Sequence, residues 1–512
     1  MTMVKTKRAA ALPATELSVC DKTALAIATC RALFYPLSST FRRFDDVMMA
    51  DAIEQLAADC PMFAGRVRKL EPALRWSVSS LAIVNSNAGI EFDVVNRPDT
   101  QIGELMTPAA WTMKSTSITS PKVPSYFPSM DTGQRMFKGK EPVCKVRLTH
   151  LQDGDILAVT MSHMLTDGMH WPAFMTHLAA RYKELATGGA WTAPPEKLIA
   201  VDGNKGLLTY AKLRERLVAD GAVDAGWTPE PIEVRAALMD HVRAWTLLFK
   251  NGFQKNNFNI VGVPNARLKA LKAEVMAQVG RGIESGAFPA GTYVSTGDVG
   301  QALSMMMVKG AAKKRVMPVS PKQNIVLAQI PGMPKEGPEK YFGNSVHLVK
   351  VSFDRDEVKA ELESESESGQ AAEASLVVLT RLAVRIRERT LEFREHPEQA
   401  LQSVFETEEI GKEPVLKALG FLAGRRYPLV NCTTNYIGTL EEDSELSFGP
   451  DGVLLNSACQ WLVTPLARDM VVVRPHVPDD SMLFMMALTP KQSTRLRELA
   501  VMRELVPDAT FY

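Results

Sequence analysis

The stretch PVCKVRLTHL, residues 142–151, alternates Val143, Lys145 and Arg147 against Cys144, Val146 and Leu148. Period-two alternation suits a strand, because successive side chains leave opposite faces. The turn residues Gln152-Asp153-Gly154-Asp155 follow, and GDILAVTMSH supplies a second strand. Two such strands around a short turn commit this part of the chain to a hairpin. The chain leaves the hairpin in the run TMSHMLTDGMHWP, residues 160–172. Gly168 and Pro172 prevent one helix from running through it. A histidine, His163, therefore stands at a strand exit, with Asp167 and Gly168 four and five residues on.

Two readings of that H-x-x-x-D-G spacing are open from the residues alone. In the first, Asp167 caps a helix and Gly168 takes a turn conformation. In the second, His163 does chemistry. A histidine of ordinary pKa, ~6.5, is mostly neutral at pH 7 and accepts a proton from a hydroxyl or an amine. Asp167 would then hold the loop, and Gly168 would let the backbone pass close to a ligand.

The rest of the chain mixes both periods. FDDVMMADAIEQLAADCPMFAGRVRKL reads as an amphipathic helix capped by Asp45 or Asp46. Val47, Ile53, Leu56 and Ala57 would face a core, Pro61 stops the helix, and GRVRKL continues as a strand. WPAFMTHLAARYKELATGG reads as a helix between Pro172 and Gly188, with Phe174, Leu178, Arg181 and Leu185 at helical spacing. NNFNIVGVPNARLKALKAEVM is a strand and then a helix. LVVLTRLAVRIRERTLEF is a helix, and DMVVVRP and SMLFMMAL are strands. The acidic piece RDEVKAELESESESGQAAEAS reads as a solvated loop without a role. Strands and helices mixed throughout, with antiparallel signals, predict a mixed α/β (α+β) fold. The divisions are a flexible tail over 1–12, an N-terminal lobe over 13–190, a polar crossover over 191–256 and a C-terminal lobe over 257–512.

Bulk properties narrow the partners. The net charge of +1 offers no basic field for nucleic acid or an acidic membrane surface. No run of 18 apolar residues occurs, so no membrane span is expected. Cys20, Cys30, Cys60, Cys144, Cys432 and Cys459 form no C-x-x-C, which favours free thiols and a cytoplasmic protein. The basic N-terminus MTMVKTKRAAALP lacks the apolar core of a secretory signal and leaves organelle targeting open. There is no Walker loop, GRGIESG fails the dinucleotide spacing, and GNSVH fails as a nucleophile elbow. His163, His170 and His177 are seven apart, but Gly168 and Pro172 separate them and carboxylate co-ligands are missing, so no metal site is expected.

The sequence resembles the BAHD acyltransferases, within the wider superfamily that includes chloramphenicol acetyltransferase and condensation domains. LSVCD at 17–21 looks like that family's opening Leu-Ser-x-x-Asp. CPMFAGRV at 60–67 looks like its Tyr-Pro-x-x-Ala-Gly-Arg segment. SHMLTDG at 162–168 is similar to its signature, YVSTGDVGQAL at 293–303 to its Ser-Thr/Ser-x-Asp helix start, and YFGNSV at 341–346 to its Tyr-Phe-Gly-Asn segment. The order is the family's own. One segment departs from it. The second signature, Asp-Phe-Gly-Trp-Gly, is represented by SFGPD, where Phe448 and Gly449 remain while the aspartate and tryptophan do not. In the family that aspartate pairs with an arginine just before Tyr-Phe-Gly-Asn; here IVLAQIPGMPKEGPEK has none, so no single charge is stranded.

The resemblance implies two lobes of chloramphenicol-acetyltransferase-like fold, mixed sheets flanked by helices, and a channel between the lobes. Acyl-CoA would be a co-substrate, with no permanently bound cofactor. His163 would be the general base for a small, fairly apolar alcohol that attacks the thioester directly, as in specialised metabolism. Asp167 and Gly168 would be structural. Candidate oxyanion donors are Thr433, Thr434 or Asn435, or an amide near Gly449, although strand residues bonding their neighbours is the plainer reading of them. Lys269 and Lys272 are on a helix where CoA phosphates want cations, although a solvated lysine face is the better reading of them. Tyr341 to Asn344 would pack and turn. Family members are usually monomers. The alternatives are an N-acyltransferase or condensation-type amide former, and a non-catalytic relative. Condensation domains carry a second histidine before the motif's own, where this chain has Ser162.

Overall fold

The fold comes from a computed structural model that describes mainly residues 28–69, 89–106, 125–166, 171–190, 208–242, 256–311, 371–413 and 480–512, with shorter stretches between them. The hairpin forms as its alternation requires. Cys144–Leu151 and Gly154–Ser162 pair antiparallel, with His150 opposite Asp155. Glu91–Arg97 lies parallel to the first strand and Ala28–Pro36 antiparallel to the second. The hairpin is thus interior to its sheet, and every residue of Gly154–Ser162 is buried.

Its polar positions are neutralised inside the protein. Lys145 pairs with Glu141 at 2.7 Å. Arg147 grips Asp93, directly opposite on the parallel strand, with Nη2 2.6 Å from Oδ2. Gly154 has a steric reason: a Cβ there would lie 2.5 Å from the Tyr35 carbonyl oxygen.

The full order of this sheet is Thr2–Lys5, Glu91–Arg97, Cys144–Leu151, Gly154–Ser162, Ala28–Pro36, Asn456–Leu462. Residues 1–12 were expected as a flexible tail, but Thr2–Lys5 runs antiparallel along Glu91–Arg97. It covers backbone groups that an uncovered strand edge would leave unpaired. At the other edge, Asn456–Leu462 arrives from the C-terminal half and places Trp461 opposite Thr29. The reverse exchange also occurs. Lys114–Ser115 pairs with Asn256 and Asn257 in a second sheet built on Val471–His476, Ser481–Leu488, Asn256–Pro264 and Thr510–Phe511. Each half of the chain lends a strand to the other's sheet.

Helices flank these sheets. Helix Asp46–Asp59 is capped by Asp45, whose carboxylate accepts from the amides of Val47 and Met48. Ile53, Leu56 and Ala57 are buried as the spacing predicts, whereas Val47 is 69% exposed. Six residues before Ile53, Val47 is rotated by roughly 120° from that stripe. Helix Trp171–Ala186 packs beside it with Phe174 and Leu178 fully buried, and Arg181 holds Asp59 at 2.6 Å. Asn265–Glu284 is a helix where expected, and Ala371–Glu395 begins five residues earlier than expected, so that the end of the acidic piece is helical with Ala374 and Ser375 buried rather than a solvated loop. One apolar core gathers Ile53, Val159 and Phe174, and a second gathers Val261, Leu271, Leu303 and Phe484. A smaller third core joins Leu208, Leu213 and Leu217 of the crossover to Tyr341 and Leu401. Among the described residues no helix is long and apolar enough to cross a membrane. Residues 355–370 of the acidic piece lie outside the described residues.

His150 ties the hairpin to the first helix. Its Nδ1 is 2.7 Å from Asp155 Oδ1 and its Nε2 is 2.7 Å from Asp46 Oδ1. Burial opposes the imidazolium, but the hydrogen bonds to Asp155 and Asp46 outweigh it and raise the pKa. The stabilisation is therefore full below the ordinary histidine pKa of ~6.5 and fades as pH rises through the raised native value. His150→Gln is expected to cost about 1–2 kcal/mol at pH 6 and clearly less at pH 9. Urea unfolding at the two pH values checks this, and equal costs would contradict a charged bridge.

Candidate active site

His163 is placed by strand pairing, one residue past the hairpin. The Ser162 amide donates to the Val143 carbonyl at 2.8 Å, and the Leu165 amide donates back to the Ser162 carbonyl at 3.0 Å. The latter bond closes a turn in which His163 is the second residue. Within it, the Met164 amide donates to Ser162 Oγ at 3.4 Å. His163 is only 7% exposed, and its Nδ1 is buried.

The far end of this turn meets a buried polar cluster. Lys205 Nζ donates to the Leu165 carbonyl at 2.6 Å and pairs with Asp21 Oδ2 at 3.1 Å. The same Asp21 oxygen accepts from Ser18 Oγ at 2.7 Å, the Ser18 amide at 3.2 Å and the Tyr341 hydroxyl at 3.2 Å. Tyr341 OH is also 2.9 Å from Ser18 Oγ. All four side chains are buried. A Cβ on Gly343 would lie 2.5 Å from the Tyr341 hydroxyl and 2.6 Å from Lys205 Nζ, so the close approach requires glycine. Beside the cluster, the Phe342 and Phe63 rings meet edge to face at 5.4 Å, and Phe63 meets Phe174 at 4.8 Å.

Four segments singled out in the sequence, at 17–21, 60–67, 162–168 and 341–346, thus come together around the His163 turn. The fifth makes a capping box of its own at the start of helix Thr296–Ala311. There the Ser295 hydroxyl and amide donate to Asp298 at 2.6 and 2.7 Å. Ser18 and Asp21 form the same Ser-x-x-Asp box. Sequence reading missed Lys205, because a single lysine in a polar connection carries no spacing signal. Only its burial, at 1% exposure, reveals it.

Other expected site residues fall elsewhere. Asp167, Gly168, Thr433, Thr434, Asn435, Gly449 and the SFGPD segment lie outside the described residues. His177 uses Nδ1 to accept from the Ile199 amide at 3.1 Å and Nε2 to bond Asp59 at 2.8 Å, so both ring nitrogens serve packing. Among the described residues no group of three or more His, Cys, Asp or Glu is placed to hold a metal ion. Burial pushes the Cys144 thiol far above its ordinary range, which keeps it protonated. Lys269 is exposed, and Lys272 Nζ stands 5.1 Å over the Tyr293 ring. Trp171, which opens the helix after the His163 segment, carries the Arg31 guanidinium 4.3 Å above its ring. Two surface hollows of about 310 and 570 Å³ are lined by none of the His163 turn.

Tyr341→Phe deletes a donor to a buried carboxylate. It is expected to destabilise the protein by about 1–3 kcal/mol in urea unfolding. A change within a few tenths would contradict the hydrogen-bonded cluster.

No protein-family model matches the sequence, and no curated protein matches it by sequence. Solved structures do match the fold. TRI101 of F. sporotrichioides, solved with coenzyme A and T-2, superposes with a TM-score of 0.64 at 14% identity, covering 97% of this chain and 99% of its own. TRI101 of F. graminearum, solved with coenzyme A and T-2 mycotoxin, gives 0.63 at 14% identity over 98% and 100% of the two chains. Vinorine synthase gives 0.54 at 12% identity over 98% and 97%. At these identities the likeness concerns the fold alone: the chain shares the mixed α/β, chloramphenicol-acetyltransferase-like fold of these structures.

Proposed function

We propose that this protein is an acyl-CoA-dependent O-acyltransferase of the BAHD kind, with His163 as its general base. The observation that carries the reading is the placement of His163. It sits at the exit of a rigid hairpin, in a hydrogen-bonded turn where the segments resembling that family's motifs converge. The fold shared with TRI101 and vinorine synthase supports it. Acyl-CoA and the acceptor would reach His163 from opposite mouths of a channel between the lobes.

The chemistry follows from the residue. The neutral imidazole removes the acceptor's hydroxyl proton as the oxygen attacks the thioester carbonyl. A tetrahedral oxyanion forms, for which Thr433, Thr434, Asn435 or an amide near Gly449 are the candidate donors. Its collapse breaks the carbon–sulfur bond, and the CoA thiolate leaves with the proton from the imidazolium. Asp167 and Gly168 would shape the loop. No acyl-enzyme is needed, and the protonated, buried Cys144 is unsuited to be a nucleophile.

TRI101 has been solved with coenzyme A together with T-2 or deoxynivalenol. Those ligands belong to that protein. They motivate a small, fairly apolar alcohol as the acceptor class here, in specialised metabolism, and the family resemblance implies a monomer. The condensation-type alternative is disfavoured by Ser162, which is 2% exposed and engaged in the turn at the position where a second histidine would stand.

The test is free-thiol release from a panel of acyl-CoAs and alcohols, with wild type against His163→Ala. The variant is expected to lose ~10²–10⁴-fold in rate with an unchanged melting temperature. Equal rates in the two proteins would remove His163 from the mechanism.

A further inference from the structure

We infer that Lys205 is a positioning residue for His163, acting through the backbone of the turn that carries it. The inference rests on the proposed reading of His163 as the base. Lys205 is 1% exposed, in a crossover otherwise read as a polar connection. A buried ammonium is costly to desolvate, and an ion pair alone often fails to recover that cost. Lys205 has the compensation required: Asp21 at 3.1 Å, the Leu165 carbonyl at 2.6 Å, and the Tyr341 and Phe342 rings at 5.7 and 5.9 Å.

The two polar contacts do different things. The Ser-x-x-Asp box at Ser18 does not require a lysine, because the equivalent box at Ser295 and Asp298 closes through its own hydroxyl and amides. Asp21 supplies the countercharge that allows an ammonium to be buried here. The Leu165 carbonyl is what the ammonium holds. Leu165 closes the turn through its amide to the Ser162 carbonyl and is anchored through its carbonyl to Lys205. His163 lies between these fixed points. The backbone at His163 is therefore held, and the base can leave the reacting hydroxyl only by side-chain rotation. The backbone before Lys205 agrees with a directed role, since Asn204 takes a left-handed φ of 53° to deliver it.

The test compares D21N with the double variant K205M/D21N. Both abolish the ion pair, and only D21N keeps the donor to Leu165. The readouts are the ring resonances of His163 in histidine-labelled protein, assigned by their loss in His163→Ala, and the separate kcat and KM for acyl-CoA. The expected result is that K205M/D21N displaces the His163 resonances well beyond their positions in D21N. It should also lower kcat by about 10²-fold with KM nearly unchanged, as misplacement of a catalytic group by ~1 Å does. If the double variant does not fold, K205Q/D21N, with a donor one atom short of the carbonyl, is read in its place. His163 resonances that coincide in the two variants would overturn the inference. If wild type itself turns over no acyl-CoA, the proposed function fails while the resonances still decide the role of Lys205.

Discussion

The buried contact between Lys205 and Asp21 joins parts of the chain that share no local structure. Asp21 belongs to the opening segment, Lys205 to the crossover, and their partners Leu165 and Tyr341 to the His163 turn and the later Tyr-Phe-Gly segment. Each of these groups alone would be expensive to bury, since an unpaired charge or carbonyl inside a protein costs several kcal/mol. Together they satisfy one another, and removing a member takes a partner from the groups bonded to it. The same constraint explains the adjacent glycine. A Cβ on Gly343 would crowd both the ammonium and the tyrosine hydroxyl.

That cluster matters because of what lies on its other side. His163 follows a strand paired on both flanks and wholly buried, so the start of its turn cannot drift. The cluster fixes the far end. Held between a sheet and a buried ion pair, His163 would be pre-organised for the general-base role proposed for it. The exchanged strands extend the same logic to the whole molecule. Asn456–Leu462 adds to the hairpin's sheet and Lys114–Ser115 to the other, so neither sheet is complete without the opposite half of the chain.

Much of this was legible in the sequence where local rules decide. Alternation around Gln152–Asp155 gave the hairpin and hence the location of His163. Helical spacing and Asp45 gave the first helix. Val47 was misplaced because a single apolar residue near a helix start is compatible with either side of the stripe. The strand Thr2–Lys5 was missed because its pairing depends on an edge formed some ninety residues later, at Glu91–Arg97. Strand exchange and the role of Lys205 were invisible for one reason: both depend on contacts between distant segments, and neither leaves a period or a spacing behind. The motif resemblance named the segments at 17–21, 60–67, 162–168 and 341–346, but not the lysine on which three of them converge.

The central claim is direct acyl transfer at His163, and following the acyl group tests it most directly. The protein would be incubated with acyl-CoA labelled in the acyl carbonyl and a panel of small alcohols, then denatured, and the label traced. Direct transfer at His163 predicts label in a small-molecule ester, released CoA in equal amount, and no label on the denatured protein. Stoichiometric label retained on the protein would contradict it, because that result requires a nucleophilic side chain and a covalent intermediate where direct transfer has only a base.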